Sequence, residues 1–212
     1  MSTDIAVINN SRADDLEVVA WSQAVSKQVQ RDVAPIWGST DTFVEFTGDE
    51  VPDACDWILR IVDEVTYAGA AGWHSIDSLG RPISEVGINT GLHPATVMSH
   101  EVIEVVGNPF VSRRAMDWRT GYDYAHELCD PVQRDSYLIN DIPVSAFVTP
   151  AWFGVERGQT MMLDVNSSLV ATGGPFELRP GGYAVRWDRD GNRDDVRSTA
   201  LVGHERLDWM LA

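Results

Sequence analysis

The sequence predicts an α+β domain. Three observations carry this: short apolar strand candidates alternate with two capped helices in the first half, the last third offers strand candidates and no helix, and the 212 residues are 44% hydrophobic, enough for one buried core. No run of eighteen apolar residues occurs, and the opening MSTDIAVINNSRADD lacks a basic segment followed by an apolar one. Neither a cleaved signal nor a membrane span is expected.

Residues 4–8 (DIAVI) form the first strand candidate. Ser11 to Asp14 then supplies capping chemistry for a helix from about Asp14 to Arg31, in which Leu16, Ala20, Ala24, Val25 and Val29 recur at helical spacing and predict a core-facing stripe. Pro35 is expected to end it. Residues 41–47 (DTFVEFT) alternate as a half-buried strand does, 56–63 are dense in β-branched and aromatic residues, and 84–90 (SEVGINT) form a further strand. Between the latter two, the Gly-rich stretch from Gly69 to Pro82, with Trp73 and His74 inside it, predicts a long loop or irregular hairpin.

A helix follows from Pro94 to Val106, with proline tolerated in its first turn and Gly107-Asn108-Pro109 as a stop. Beyond it lie a polar stretch to about Tyr122, a helical turn around Tyr124–Cys129, and a break at Pro131. Strands are expected near 136–140, 142–147 and 159–165, and between Pro175 and Trp187, with Asp190-Gly191 as a hairpin turn. Residues 1–155 read as the main domain and 156–212 as a β-rich C-terminal extension packed on it, Gly173-Gly174-Pro175 being the best candidate for a boundary.

The net charge is −16 and Lys27 is the only lysine, a balance that repels a phosphate backbone, so no nucleic-acid partner is expected. Two cysteines, Cys55 and Cys129, are too few for a disulfide framework and lack CxxC spacing. Both are expected as free thiols.

The second helix carries the chemistry. Side chains four apart share a helix face, so His100 and Glu104 can point at one ion while Glu101 reaches a bound water. This is the spacing of an HExxH metal helix with glutamate replacing the second histidine: His100 and Glu104 as ligands, Glu101 as general base. Glu127 and Asp130, three apart, are the obvious source of a third ligand and of a partner for the remaining imidazole N–H; Glu127 is assigned first as the ligand and Asp130 as the orienting partner, with the reverse assignment close behind. Five histidines and eleven glutamates give HExxE by chance in roughly one or two such chains per hundred, so its helical setting and the acidic pair downstream carry the weight. The competing interpretation is a solvated acidic face, with Val97, Val102, Val105 and Val106 packing inward behind it. A carboxylate for an imidazole makes the site harder, so calcium, magnesium and manganese are admissible beside zinc, the first choice.

Other candidates are weaker. His74 reaches the cleft only if its loop folds over it; His93 is a helix-entry residue; His126 should point away from Glu127; His204 lies in a distant polar segment. Ser99 has no GxSxG elbow around it. Of the tryptophans, Trp118, Trp152, Trp187 and Trp209 could serve core or partner surfaces.

The run SHEVIEVVGNP at 99–109, followed by HELCDPV at 126–132, resembles the SHExxE…(T/A)DP…ExxD pattern of zincin-like metallopeptidases among uncharacterised bacterial and bacteriophage proteins. QVQRDVAPIWG at 28–38, GWHSIDSLGRPISEV at 72–86 and DIPVSAFVTPAWFG at 141–154 look like further segments of the same group, so the likeness spans roughly residues 15–155. The resemblance implies a mixed sheet over the metal helix, an edge strand above the cleft, and site positions His100, Glu101, Glu104, Glu127 and Asp130. Gly107-Asn108 stands where TDP or ADP is commoner. Two functions follow from it: a metal-dependent peptidase-like hydrolase acting on a peptide, active or inactive, or a bacteriophage head, neck or tail component that keeps the scaffold and contacts other virion proteins. The expected location is the cytoplasm of the producing cell or the virion.

Overall fold

A computed structural model describes residues 3–38, 42–52, 55–154, 164–165 and 174–198. It is a mixed α+β structure with several sheets and few helices. Among the described residues no helix is long and apolar enough to cross a membrane.

The main sheet has five strands in the order β2-β1-β3-β5-β4, with β1 at Thr3–Asn10, β2 at Thr42–Gly48, β3 at Trp57–Val62, β4 at Gly72–Ile76 and β5 at Pro82–Gly87. The β2-β1-β3-β5 pairs are parallel and β4 runs antiparallel to β5 along the edge. The sequence explains the placement. β1 is continuously apolar because Ile5, Ala6, Val7 and Ile8 are all buried, as a parallel strand covered on both faces requires. β2 alternates at its start, Thr42 and Val44 inward and Phe43 and Glu45 outward.

Helix α1 spans Asp15–Gln28 and opens with the Asp14 carboxylate accepting from the Leu16 amide at 2.8 Å, a side-chain N-cap. Ala24, Val25 and Val29 are buried as their spacing predicts, but Leu16 is 78% exposed. The buried stripe starts at Val18 and Trp21 instead. Nor does the helix end at Pro35. Residues Val29–Val33 widen into a π turn, in which the Ala34 amide bonds Val29, and Pro35 occupies the first turn of the short α2, Ala34–Trp37, where its missing N–H costs little. Gly38, at φ 79°, stops the chain in the left-handed region.

Helix α3, Pro94–Gly107, is buried from Ala95 and from Val97 to its end. This overturns the picture of a solvated acidic face: His100, Glu101 and Glu104 are as enclosed as Val97, Val102, Val105 and Val106. One side of α3 meets β4 and β5, another meets α1, and a third meets the hairpin of β8 (Ser136–Ile139) and β9 (Ile142–Ser145). Ser99 fastens that hairpin, its Oγ accepting from the Ser145 amide at 2.6 Å and donating to the Thr96 carbonyl at 3.0 Å. From α1, Gln28 donates to the Ser145 carbonyl at 2.7 Å.

Two segments differ from their sequence pattern. The stretch from Gly69 to Pro82, expected as a long loop or irregular hairpin, is the first arm of a regular antiparallel hairpin, β4 against β5, and the expected turn at 124–129 is the end of another, β6 (Arg114–Asp117) and β7 (Tyr122–Ala125). Strands of four or five residues are too short for their alternation to stand out. The C-terminal hairpin forms as its Asp-Gly pair predicts: β10 (Tyr183–Trp187) pairs with β11 (Arg193–Arg197), and Gly191 takes φ 83° in the turn. Strand β10 also pairs with β7, giving the sheet β11-β10-β7-β6, so these residues share a sheet with the segment that follows α3. Of the expected strand at 159–165, only 164–165 are described, with Asp164 bridged to Val148. Gly173, His204 and Trp209 lie outside the described residues. Trp152 is fully buried, Trp118 is 74% exposed, and Trp187 lies under the Arg114 guanidinium at 3.6 Å.

Gly182 holds β10 against the single 3₁₀ turn Asp130–Val132, and any Cβ there would strike the Pro131 carbonyl. Backbone cannot yield as a side-chain tip does. Gly182→Ala should therefore destabilise the protein by about 1–3 kcal/mol in denaturant unfolding; an unchanged midpoint would contradict this packing.

Candidate metal centre

All five residues singled out on sequence grounds come together, and His74 joins them. His100, Glu101 and Glu104 project from α3, Glu127 follows β7, and Asp130 opens the 3₁₀ turn. His74 comes from the edge strand. Gly72 and His74 are two apart and face α3, while Trp73 points to the other side and donates to Glu85 at 2.9 Å. The strand lies so close to the helix that a Cβ on Gly72 would sit 2.7 Å from both Glu101 Oε1 and Val97 Cγ1. Glycine is what permits that approach.

The donors form two groups about Glu104. His100 Nε2 lies 3.2 Å from Glu104 Oε1 and 3.2 Å from Asp130 Oδ1. His74 Nδ1 lies 3.2 Å from Glu101 Oε2 and 3.4 Å from Glu104 Oε2, and its Nε2 is 3.5 Å from Glu127 Oε2. Asp130 and Glu104 thus face the same nitrogen of His100, so Asp130 stands among the donors and not behind the ring. Glu127, expected first as a ligand with His100, is the neighbour of His74 instead. Asn108 steadies it by donating to Glu127 Oε1 at 3.4 Å, while its own Oδ1 accepts from the amides of Ser112 and Arg113 at 3.0 and 2.9 Å.

Burial makes this arrangement costly unless something fills it. Asp130 is 2% exposed and Glu104 3%, and Glu104 Oε1, Asp130 Oδ1, Glu127 Oε2 and His74 Nε2 have no hydrogen-bond partner of good geometry among the described residues. Donors 2.0–2.1 Å from a tetrahedral ion lie about 3.3 Å from one another, close to the spacings around His100. The residues fit a metal ion. The groups His100, Glu104 and Cys129, and His74, Glu101 and Glu104, each have donor atoms within 4.8 Å of one another. Of Cys129 and Asp130, the aspartate is the better donor: burial pushes the Cys129 thiol well up, and its sulfur points at the His100 carbonyl.

With protons as the only cations, the cluster balances charge by holding them. Burial opposes charging His74, but the hydrogen bond to Glu101 and the carboxylates of Glu127 and Glu104 outweigh it and raise the ring to about 10. Burial likewise opposes charging His100, and Glu104 with Asp130 raises it well above its ordinary value. Burial would raise Glu104, yet His100 holds it down at about 2. Burial, with Glu104 nearby, pushes Asp130 well up, and burial brings Glu127 to about 7 against the pull of His74. Tyr183, from β10, stands against Asp130, and burial beside these acids pushes its hydroxyl well up.

Two cavities, of about 320 and 500 Å³, flank the cluster and share Gly72, His100 and Glu101. Tyr183 and Trp187 line the larger one. The remaining histidines have other work. His93 accepts from the Ala95 amide at 3.2 Å and caps α3. His126 stacks on Phe153 with ring centroids 4.3 Å apart and meets Trp37 edge-on, and burial lowers it to about 4. Ser99 is fully buried and committed to hydrogen bonds, so it is no nucleophile. Comparison with protein-family models, curated proteins and solved structures finds no match.

At neutral pH a divalent ion must displace the protons that the raised imidazoles of His74 and His100 hold. Zinc binding, followed by calorimetry in buffers of different ionisation enthalpy, should release protons and tighten between about pH 6 and about pH 8. Binding without proton release would contradict the assigned charge state.

Proposed function

We propose that this chain is a metal-dependent hydrolase of the peptidase type, on a zincin-like scaffold, with zinc as its ion. The observation that carries the proposal is the convergence of His100 Nε2, Glu104 Oε1 and Asp130 Oδ1 beside Glu101, which opens on both cavities. The antiparallel edge strand lying over the metal-motif helix supports the scaffold assignment.

His100, Glu104 and Asp130 would hold the ion. When bound, it supplies a Lewis acid that polarises a carbonyl and brings the pKa of water near neutrality. Glu101 is the general base, taking the proton of the attacking water and passing it to the departing amine. His74, 3.2 Å from Glu101 Oε2, orients that carboxylate. The tyrosine hydroxyl of Tyr183, held protonated, stands beside Asp130 as a hydrogen-bond donor for the developing oxyanion. The flanking cavities leave room for an extended chain to cross the cluster.

A second assignment, a structural component of a bacteriophage particle, is favoured by the exposed side chains of Phe110, Val111, Met116 and Trp118, grouped within one short stretch. It requires nothing of Glu101. Glu101→Gln should keep the ion at His100 and lower peptide hydrolysis by roughly 100- to 10,000-fold. If the wild type hydrolyses no peptide when zinc-loaded, and the variant assembles into particles equally well, the structural assignment replaces the enzymatic one.

A further inference from the structure

We propose that the cluster holds two divalent cations, bridged by the carboxylate of Glu104. This rests on the assignment of His100, Glu104 and Asp130 as a metal site and extends it. The two oxygens of Glu104 face different imidazoles: Oε1 is 3.2 Å from His100 Nε2, and Oε2 is 3.4 Å from His74 Nδ1. Ligands opposite one another across an octahedral ion are only about 4.2 Å apart. The two imidazoles fall in separate donor groups whose shared member is Glu104.

Each group is a complete set of three donors. His100 Nε2, Glu104 Oε1 and Asp130 Oδ1 form the first; His74 Nδ1, Glu104 Oε2 and Glu101 Oε2 form the second. Glu127 Oε2 stands 3.5 Å from His74 Nε2, without a formed hydrogen bond, on the side of the ring where an imidazole ligating through Nδ1 would keep its proton. Glu101 keeps Oε1, on the side of Gly72, for the proton of water.

Charge points the same way. With both imidazoles neutral and all four acids ionised, as metal binding requires, Glu101, Glu104, Glu127 and Asp130 carry four negative charges in a cluster largely withdrawn from water between the two cavities. One divalent ion leaves two of them unbalanced; two ions leave none. A single ion flanked by four acids would be an odd use of buried carboxylates. Two-metal sites place their ions about 3.5–4 Å apart, a separation that a bridging carboxylate spans.

The test is metal content of the full chain. Saturated with zinc and freed of excess by gel filtration, the wild type should retain two equivalents and His74→Ala one. Loaded with manganese, the wild type should give an exchange-coupled electron paramagnetic resonance signal, and His74→Ala the six-line signal of an isolated ion. One zinc equivalent in the wild type, with an isolated manganese signal, overturns the two-ion proposal and leaves the single site standing. Two equivalents in both proteins overturn it as well, since the second ion then lies elsewhere. No retained metal overturns the single site too.

Discussion

The constraint on which this molecule turns is the burial of unbalanced charge on one helix. One imidazole and three carboxylates are buried around α3, with His74 and Glu127 largely enclosed beside them, and an isolated ionised group in such a place costs several kcal/mol even after relaxation. No single element could assemble them. The edge strand supplies His74, the helix three residues in one turn and a half, the chain after β7 supplies Glu127 and the 3₁₀ turn Asp130.

Much of the surrounding fold keeps these pieces in place. Gly72 lets β4 descend onto Glu101; Gly182 lets β10 bring Tyr183 against the turn that carries Asp130. Asn108 ties the end of α3 to the loop that follows and reaches Glu127. Ser99, next to His100, fastens the helix to the β8–β9 hairpin. The polar groups nearest the cluster are thus spent on fixing its frame, which leaves the acids and imidazoles facing one another.

The sequence made the helix legible because three signals agreed: Pro94 at its start, Gly107-Asn108 at its end, and the i, i+1, i+4 spacing of His100, Glu101 and Glu104. Glu127 and Asp130 were reachable as an acidic pair, and Asp130 as a neighbour of the His100 ring, but the pairing of Glu127 with His74 was not, since it depends on where the edge strand lies. His74 was placed only conditionally, as a cleft residue if its loop folded over. It lies in a five-residue strand within a Gly-rich stretch, where too few residues alternate to show a face; the nearest signal is Gly72, two residues before it, the small residue that lets the strand approach α3. Tyr183 had no local signal, because its approach depends on pairing between β10 and β7 across the chain. Leu16 and Pro35 mislead for a different reason: tertiary position overrides periodicity at a helix end, and a π turn accommodates a proline that ordinarily stops a helix.

The central claim is that this cluster is a metal centre built from imidazole and carboxylate, and X-ray absorption at the zinc edge of the zinc-loaded protein tests it most directly. The account predicts a first shell of nitrogen and oxygen at about 2.0–2.2 Å, with imidazole scattering beyond it and no sulfur. A sulfur shell near about 2.3 Å would place Cys129 at the ion in the position assigned to Asp130, and a spectrum without imidazole scattering would contradict the account outright.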